Sequence, residues 1–196
     1  MNEISQIHFC DVTVDGERWP VFGWTIATAA GAVLVDTGMV DSTPELDADW
    51  NPVILDWDVP DLVAVVNTHL HFDHCGGNRR CAGLPTYVQR RELETARAPA
   101  YLEEWVRFPG ESYVELDGDA ELFDGVSVLF TPGHSEGHQA VVVENDDGRI
   151  VLGGDVTYSM RELIEGATDS IRRIHALRPS QVYLAHHERP WVPEYD

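Results

Sequence analysis

Thr68–Asn78 reads THLHFDHCGGN, with three histidines and an aspartate falling within seven positions. A folded chain accepts that density only where the groups are paired or neutralised, because burying an unpaired polar or charged group costs more than packing returns. The apolar run LVAVVNT leads straight into the segment and reads as a strand over Leu62–Thr68. If the backbone stays extended, His69 and His71 point to the same side, since the strand period is two. Asp73 and His74 then sit on the turn that follows, and Gly76-Gly77 lets the chain bend sharply. Imidazole with carboxylate suits Zn, Fe, Mn or Co. Donors on two successive sides suit two ions side by side rather than one.

Two ions need further ligands, and three other strand ends offer them. His134 follows the run Val126–Thr131, Asp155 follows Ile150–Gly153, and His186 follows Val182–Ala185. Strand ends let a rigid sheet present side chains to a common mouth. The count closes with one ion on His69, His71 and His134, a second on Asp73, His74 and His186, and Asp155 bridging both. A position is left for water. His138 and His187 read as supporting or ordinary polar groups, and His8 and His175 as structural or exposed.

The remaining composition bounds the answer. A chain of 196 residues supports one substantial core, so residues 1–196 read as a single domain. No apolar run approaches the roughly 18 residues of a membrane span. The start, MNEISQIHFC, lacks the basic and apolar regions of a signal peptide, which predicts a cytoplasmic protein. The formal charge is −21 and all 13 basic residues are arginine. That field repels phosphate backbones and anionic membranes, so neither nucleic acid nor membrane is an expected partner. Cys10, Cys75 and Cys81 are too few and odd in number for a disulfide framework, and read as small buried thiols in a reducing compartment.

Further strands are expected at Ile7–Val14, Val21–Thr28, Ala32–Asp36, Thr86–Gln89 and Ala140–Glu144, with a hairpin turn through Asp147-Gly148. Helices are expected at Arg90–Arg97, Ala100–Arg107 and Thr168–Leu177, the last capped by Thr168 or Asp169 and stopped by Pro179. Asp41–Pro60, with three prolines, reads as loop. Strands in succession followed by strands alternating with helices predict an α/β architecture with helices on outer sheet faces. Trp50, Trp57 and Trp105 read either as pocket or interface aromatics or as ordinary packing.

The motifs resemble the metallo-β-lactamase superfamily. AVLVDTG at residues 32–38, VNTHLHFDHCGGN, FTPGHSEGHQ and VLGGD stand in that family's order. The resemblance implies a four-layer αβ/βα sandwich with a dimetal site between the sheet edges, and hydrolysis by a metal-bridging hydroxide. PVFGWTI, YVQRRELE and Asp155-Val156-Thr157-Tyr158 are most similar to the N-acyl homoserine lactonase subgroup. That similarity implies a lactone or small-ester substrate, with Tyr158 at the lactone and Asp73 moving a proton to the leaving oxygen. Zn is the first-choice ion, with Fe, Co or Mn open, and a homodimer is also open. Two features depart from the subgroup. Ala185-His186-His187 stands where Gly-His-Asp is usual, which makes His187 the fallback for His186. The stretches Val40–Pro60 and Tyr158–Thr168 are also abbreviated. The alternatives are a glyoxalase II-like thioesterase, which would need an added C-terminal helical domain, another ester or phosphodiester metallohydrolase, and a mononuclear iron persulfide-type dioxygenase, which uses only part of the ligand set.

Overall fold

Val33, Leu34 and Val35 are all fully buried yet face opposite ways, and the same alternation recurs strand after strand. The computed structural model describes residues 2–97, 101–146 and 148–195. Among these, β1 (Ile4–Val14), β2 (Glu17–Thr28), β3 (Gly31–Val35), β4 (Val53–Ile54), β5 (Leu62–Val66), β6 (Thr86–Gln89) and β7 (Tyr113–Leu116) form one mixed sheet, ordered β4-β1-β2-β3-β5-β6-β7. The second sheet holds β8 (Ala120–Phe123), β9 (Val126–Phe130), β10 (Gln139–Asn145), β11 (Gly148–Leu152) and β12 (Gln181–Tyr183), ordered β12-β11-β10-β9-β8. Strands β3, β5, β6 and β7 run parallel to one another, as do β11 and β12, and the other pairs are antiparallel.

The alternation divides the molecule into layers. Trp24, Ile26, Val33, Val35 and Val66 on the first sheet meet Val128, Val141, Val143 and Leu152 on the second. The opposite face of the first sheet, with Phe9, Val21, Leu34 and Val65, is covered by α1 (Pro44–Trp50), α2 (Phe72–Cys75) and α4 (Glu103–Val106) through Leu46, Phe72 and Trp105. The outer face of the second sheet, with Ala140, Val142 and Val151, receives Leu163 of α5 (Met160–Glu165) and Ile171 and Ile174 of α6 (Asp169–Ala176). Each fully buried valine or leucine contributes about 1.5–3 kcal/mol. The expected four-layer sandwich is the fold observed.

Several local expectations need correction. Asp41–Pro60 is not all loop. Pro44 opens α1 at a position where its missing N–H costs nothing, the Thr43 side chain caps the Leu46 N–H, and Val53–Ile54 forms β4. Strands β7 and β8 and the helix α5 are too short for a periodicity to show in the sequence. The helix expected over Ala100–Arg107 is confined to Glu103–Val106, with Ala100 outside the described residues. Strand β5 ends at Val66, two residues early, because Asn67 and Thr68 turn to buried side-chain partners. Gly148 pairs with Asn145 at the start of β11, and Asp147 lies outside the described residues. Thr168, not Asp169, caps α6. Trp57 and Trp105 are packed in the core. The three cysteines are buried and free. No helix among the described residues is long and apolar enough to cross a membrane.

Candidate metal centre

The C-terminal ends of β3, β5, β9, β11 and β12 come to one edge of the sandwich and carry Asp36, the His69–His74 segment, His134, Asp155 and His186. The edge is stitched across both sheets. Phe22 N donates to Ala185 O (2.8 Å) and Gln139 N to Thr68 O (2.9 Å). Gly154 has φ +53°, and a Cβ there would lie 2.8 Å from the Thr68 side chain, so only glycine allows the turn that aims Asp155 inward. His69 and His71 do share a side, and Asp73 and His74 stand on the one-turn helix α2 rather than on a loose turn.

All seven predicted ligands are brought together, in overlapping groups whose donor atoms lie within 4.8 Å of one another. In the first, His134 Nε2 lies 3.1 Å from His69 Nε2 and 2.9 Å from His71 Nδ1, and His69 Nε2 lies 3.0 Å from His71 Nδ1. In the second, Asp73 Oδ2 lies 3.7 Å from His74 Nε2 and 3.9 Å from His186 Nε2. Asp155 stands between them. Its Oδ1 is 3.4 Å from His74 Nε2, and its Oδ2 is 3.3 Å from His186 Nε2 and 3.6 Å from His134 Nε2.

This donor set fits divalent cations. Three imidazole nitrogens converging at 2.9–3.1 Å oppose lone pairs that a cation would satisfy. His74 Nε2 and Asp155 Oδ1 are buried with no hydrogen-bond partner among the described residues, an arrangement that is rare without a reason.

The electrostatics point the same way. Burial, reinforced by neighbouring histidines, holds His69 well below its usual pKa. Burial also lowers His71, and lowers His134 to about 4 despite Asp155. Those rings keep free lone pairs. For His74 and His186 burial pulls downward, but the surrounding carboxylates, Asp155 foremost, outweigh it and raise both. Burial would raise Asp155, yet His74 and His186 hold it well below the carboxylate range.

For His69, His74, His134 and His186 the ring nitrogen away from the cluster has a partner that orients it, as metal-binding histidines require. Asp36 accepts from His74 Nδ1 (2.8 Å), and Pro20 O accepts from His186 Nδ1 (2.8 Å). Thr68 Oγ1 is 3.1 Å from His69 Nδ1. His134 Nδ1 is 3.1 Å from the Tyr158 hydroxyl. With Nε2 facing a cation, His134 would carry its proton on Nδ1 and donate to the Tyr158 oxygen. His138 Nε2 accepts from Asp155 N (3.1 Å) while Nδ1 donates to Thr131. His187 faces away, toward Tyr158 O. His8 pairs with Asp11, and His175 with Leu163 O.

Two supporting groups escape a sequence reading. Pro20 acts through a backbone carbonyl. Glu92 looks like a surface residue in a charged helix, yet is fully buried. Beside the cluster lies a cleft of about 420 Å³ whose wall is Val12, Val14, Trp19, Trp50 and Phe72. Tyr158 is at its rim, its ring 5.5 Å from Trp19.

An N-acyl homoserine lactonase from Bacillus thuringiensis is 32% identical over 163 residues, which covers 71% of this chain and 65% of that protein. The N-acyl homoserine lactonase AttM of Rhizobium radiobacter is 30% identical over 178 residues, covering 78% and 66%. This chain therefore matches about 65% of the length of the curated relatives. Among solved structures, a quorum-quenching N-acyl homoserine lactone lactonase superposes with TM-score 0.81 at 27% identity, covering 95% of this chain and 94% of that one. A second, an N-acyl homoserine lactone hydrolase with N-hexanoyl-L-homoserine bound at its catalytic metal center, gives 0.79 at 27%, covering 94% and 92%. The profile of the metallo-beta-lactamase superfamily matches residues 16–191, and the chain belongs to that superfamily.

Proposed function

We propose that this protein is a hydrolase dependent on two divalent cations, zinc being the first choice, and that it opens the lactone ring of N-acyl homoserine lactones or close analogues. The observation that carries this reading is the pair of donor groups with Asp155 between them, at the floor of an apolar cleft rimmed by Tyr158. His69, His71 and His134 would hold one cation and Asp73, His74 and His186 the other, with Asp155 between. The cations would supply Lewis acidity and a water that ionises near neutral pH.

The chain's own groups do the rest. Val12, Val14, Trp19, Trp50 and Phe72 give an acyl arm an apolar bed and offer no cationic group to a phosphate or a glutathione carboxylate. That favours a lactone with an apolar arm over the phosphodiester and glutathione thioester alternatives. Burial and Asp155 push the Tyr158 phenol up, so it stays protonated and can donate to the carbonyl oxygen as negative charge develops there. Water oxygen bonds to the carbonyl carbon, and the ring C–O bond breaks. Asp73, on the cleft floor, takes a proton from the water and returns it to the leaving ring oxygen. The product is a hydroxyl acid that ionises, so one proton is released per turnover.

The test is acid release from N-acyl homoserine lactones of several chain lengths, with metal-loaded protein beside a chelated control. Metal-dependent release is the expected result. No release from protein shown to hold two cations would overturn the lactonase assignment and turn attention to thioesters and phosphodiesters.

A further inference from the structure

Glu92, on α3 (Arg90–Thr95), is fully buried, and among the described residues it forms no ion pair. The adjacent Arg90 and Arg91 turn outward to Glu115, Asp117 and Glu136. Four donors converge on the carboxylate instead. Oε1 accepts from Leu70 N (2.9 Å) and the Tyr101 hydroxyl (3.2 Å). Oε2 accepts from the Ser135 hydroxyl (2.6 Å) and Gly137 N (3.0 Å). Burying an ionised carboxylate is costly, and this geometry offsets the cost only by filling its acceptor sites with charge-assisted hydrogen bonds.

The identity of those donors carries the inference. Leu70 lies between His69 and His71. Ser135 follows His134, and Gly137 precedes His138. One side chain therefore ties the loop after β5 to the loop after β9 at the histidines themselves, in addition to the bonds from Gln139 to Thr68 O and Asn67 O at the base of the two loops. The contact is close along its whole length, since a Cβ on Gly137 would collide with the Glu92 backbone N and Cα. The second donor group hangs from different supports, namely α2, the Asp36 carboxylate and the Pro20 carbonyl.

We propose that Glu92 is a positioning residue for the three-histidine cation site. It sets the separation of His69 and His71 from His134 without touching cation or substrate, and it acts on that site rather than on the one formed by Asp73, His74 and His186. The proposal rests on the two-cation reading above.

Metal-free protein titrated with Co²⁺ alone, followed by visible absorption, tests it. Wild type is expected to take up two equivalents. Glu92→Gln keeps the volume but turns an amide NH₂ toward donors. It should bind one equivalent with wild-type affinity and the other about 10- to 100-fold more weakly, the usual effect of removing a group that orients metal ligands. The absorption of the weakened site should change in shape while the other persists. Ser135→Ala, which leaves the carboxylate and its other donors in place, should weaken the same site by a smaller factor. Folded Glu92→Gln protein that binds both equivalents as wild type would overturn the proposal, and so would equal weakening of both sites. Should that variant not fold, unaltered Co²⁺ affinities in Ser135→Ala would overturn it. Wild-type protein that takes up no Co²⁺ would remove the two-cation reading itself.

Discussion

Asp36 offers the sharpest prediction, because one atom of its side chain decides which nitrogen of His74 carries a proton. The carboxylate is buried and accepts from Thr68 N (2.7 Å), the Thr68 hydroxyl (2.8 Å) and His74 Nδ1 (2.8 Å). Its φ is +60°, a left-handed conformation that asparagine tolerates almost as well as aspartate, so Asp36→Asn adds little backbone strain where alanine would add more. The amide oxygen must face Thr68 N, since a backbone N–H cannot become an acceptor. The NH₂ then faces the Thr68 hydroxyl, which can rotate, and His74 Nδ1, which cannot accept while protonated. The His74 proton moves to Nε2, the atom aimed at Asp155 and the expected cation. Loss of a hydrogen bond to a charged group costs about 1.5–3 kcal/mol of metal-free stability. Mis-set ligand orientation should weaken the cation at Asp73, His74 and His186 by about 10- to 100-fold, or roughly 1.4–2.8 kcal/mol. Chelator competition measures the affinity, and nitrogen-15 NMR of the imidazoles reports the tautomer. A variant in which His74 keeps its proton on Nδ1 and both cations bind as in wild type would refute the reasoning.

Other expectations follow from the same geometry. Tyr158→Phe should lower kcat by about 10²–10³-fold, as loss of an oxyanion donor does. Its folded stability should hardly change, since the residue is 44% exposed; because the hydroxyl is also the partner of His134 Nδ1, the assay is run at saturating cation, and turnover there within twofold of wild type would exclude Tyr158 from the chemistry. A cation supplied at about a thousand times its Kd adds about 4 kcal/mol of stability. Chelation should then lower Tm by roughly 8–16 °C for a chain of this size, and a calorimetric scan showing no shift would argue against a bound metal. Burial, with His134 nearby, lowers His138 to about 3. A folded pKa below the unfolded value means that stability is present above about pH 6.5 and is lost as pH falls toward 3, at up to about 1.4 kcal/mol per pH unit. His74 and His186, whose values are raised, run the other way. The prediction therefore concerns the difference between wild type and His138→Gln in urea unfolding of metal-free protein. The variant should lose less stability between pH 7 and 5, and parallel curves would contradict it.

Much of the site was legible because its ligands sit at strand ends, and strands announce themselves by composition. The runs before His69, His134, Asp155 and His186 are apolar, which marks the residues following them as candidates, whereas the part Asp36 plays beside His74 shows only in the structure. Errors fell where local signals compete or are weak. Pro44 argued for loop but serves as a helix opener, and β7 and β8 are short. The choice between His186 and His187 lay outside any local pattern. It is made by the Pro20 carbonyl, 166 positions away in sequence, which orients the His186 ring toward Asp155.

By itself, then, the amino-acid sequence determined the chemical inventory and the layering. A dense set of imidazoles and carboxylates demands neutralisation, and period-two apolar strands demand burial on each face. Both follow from short-range geometry and the cost of desolvation. Tertiary structure alone decided how the inventory is arranged: that Asp155 stands between two donor groups, that Asp36 lies against His74 Nδ1, and that Glu92 joins two histidine loops 43 positions from its Ser135 partner. A hydrogen bond between distant segments leaves no periodicity in either one. It exists only once the sheets have brought their ends to the same edge.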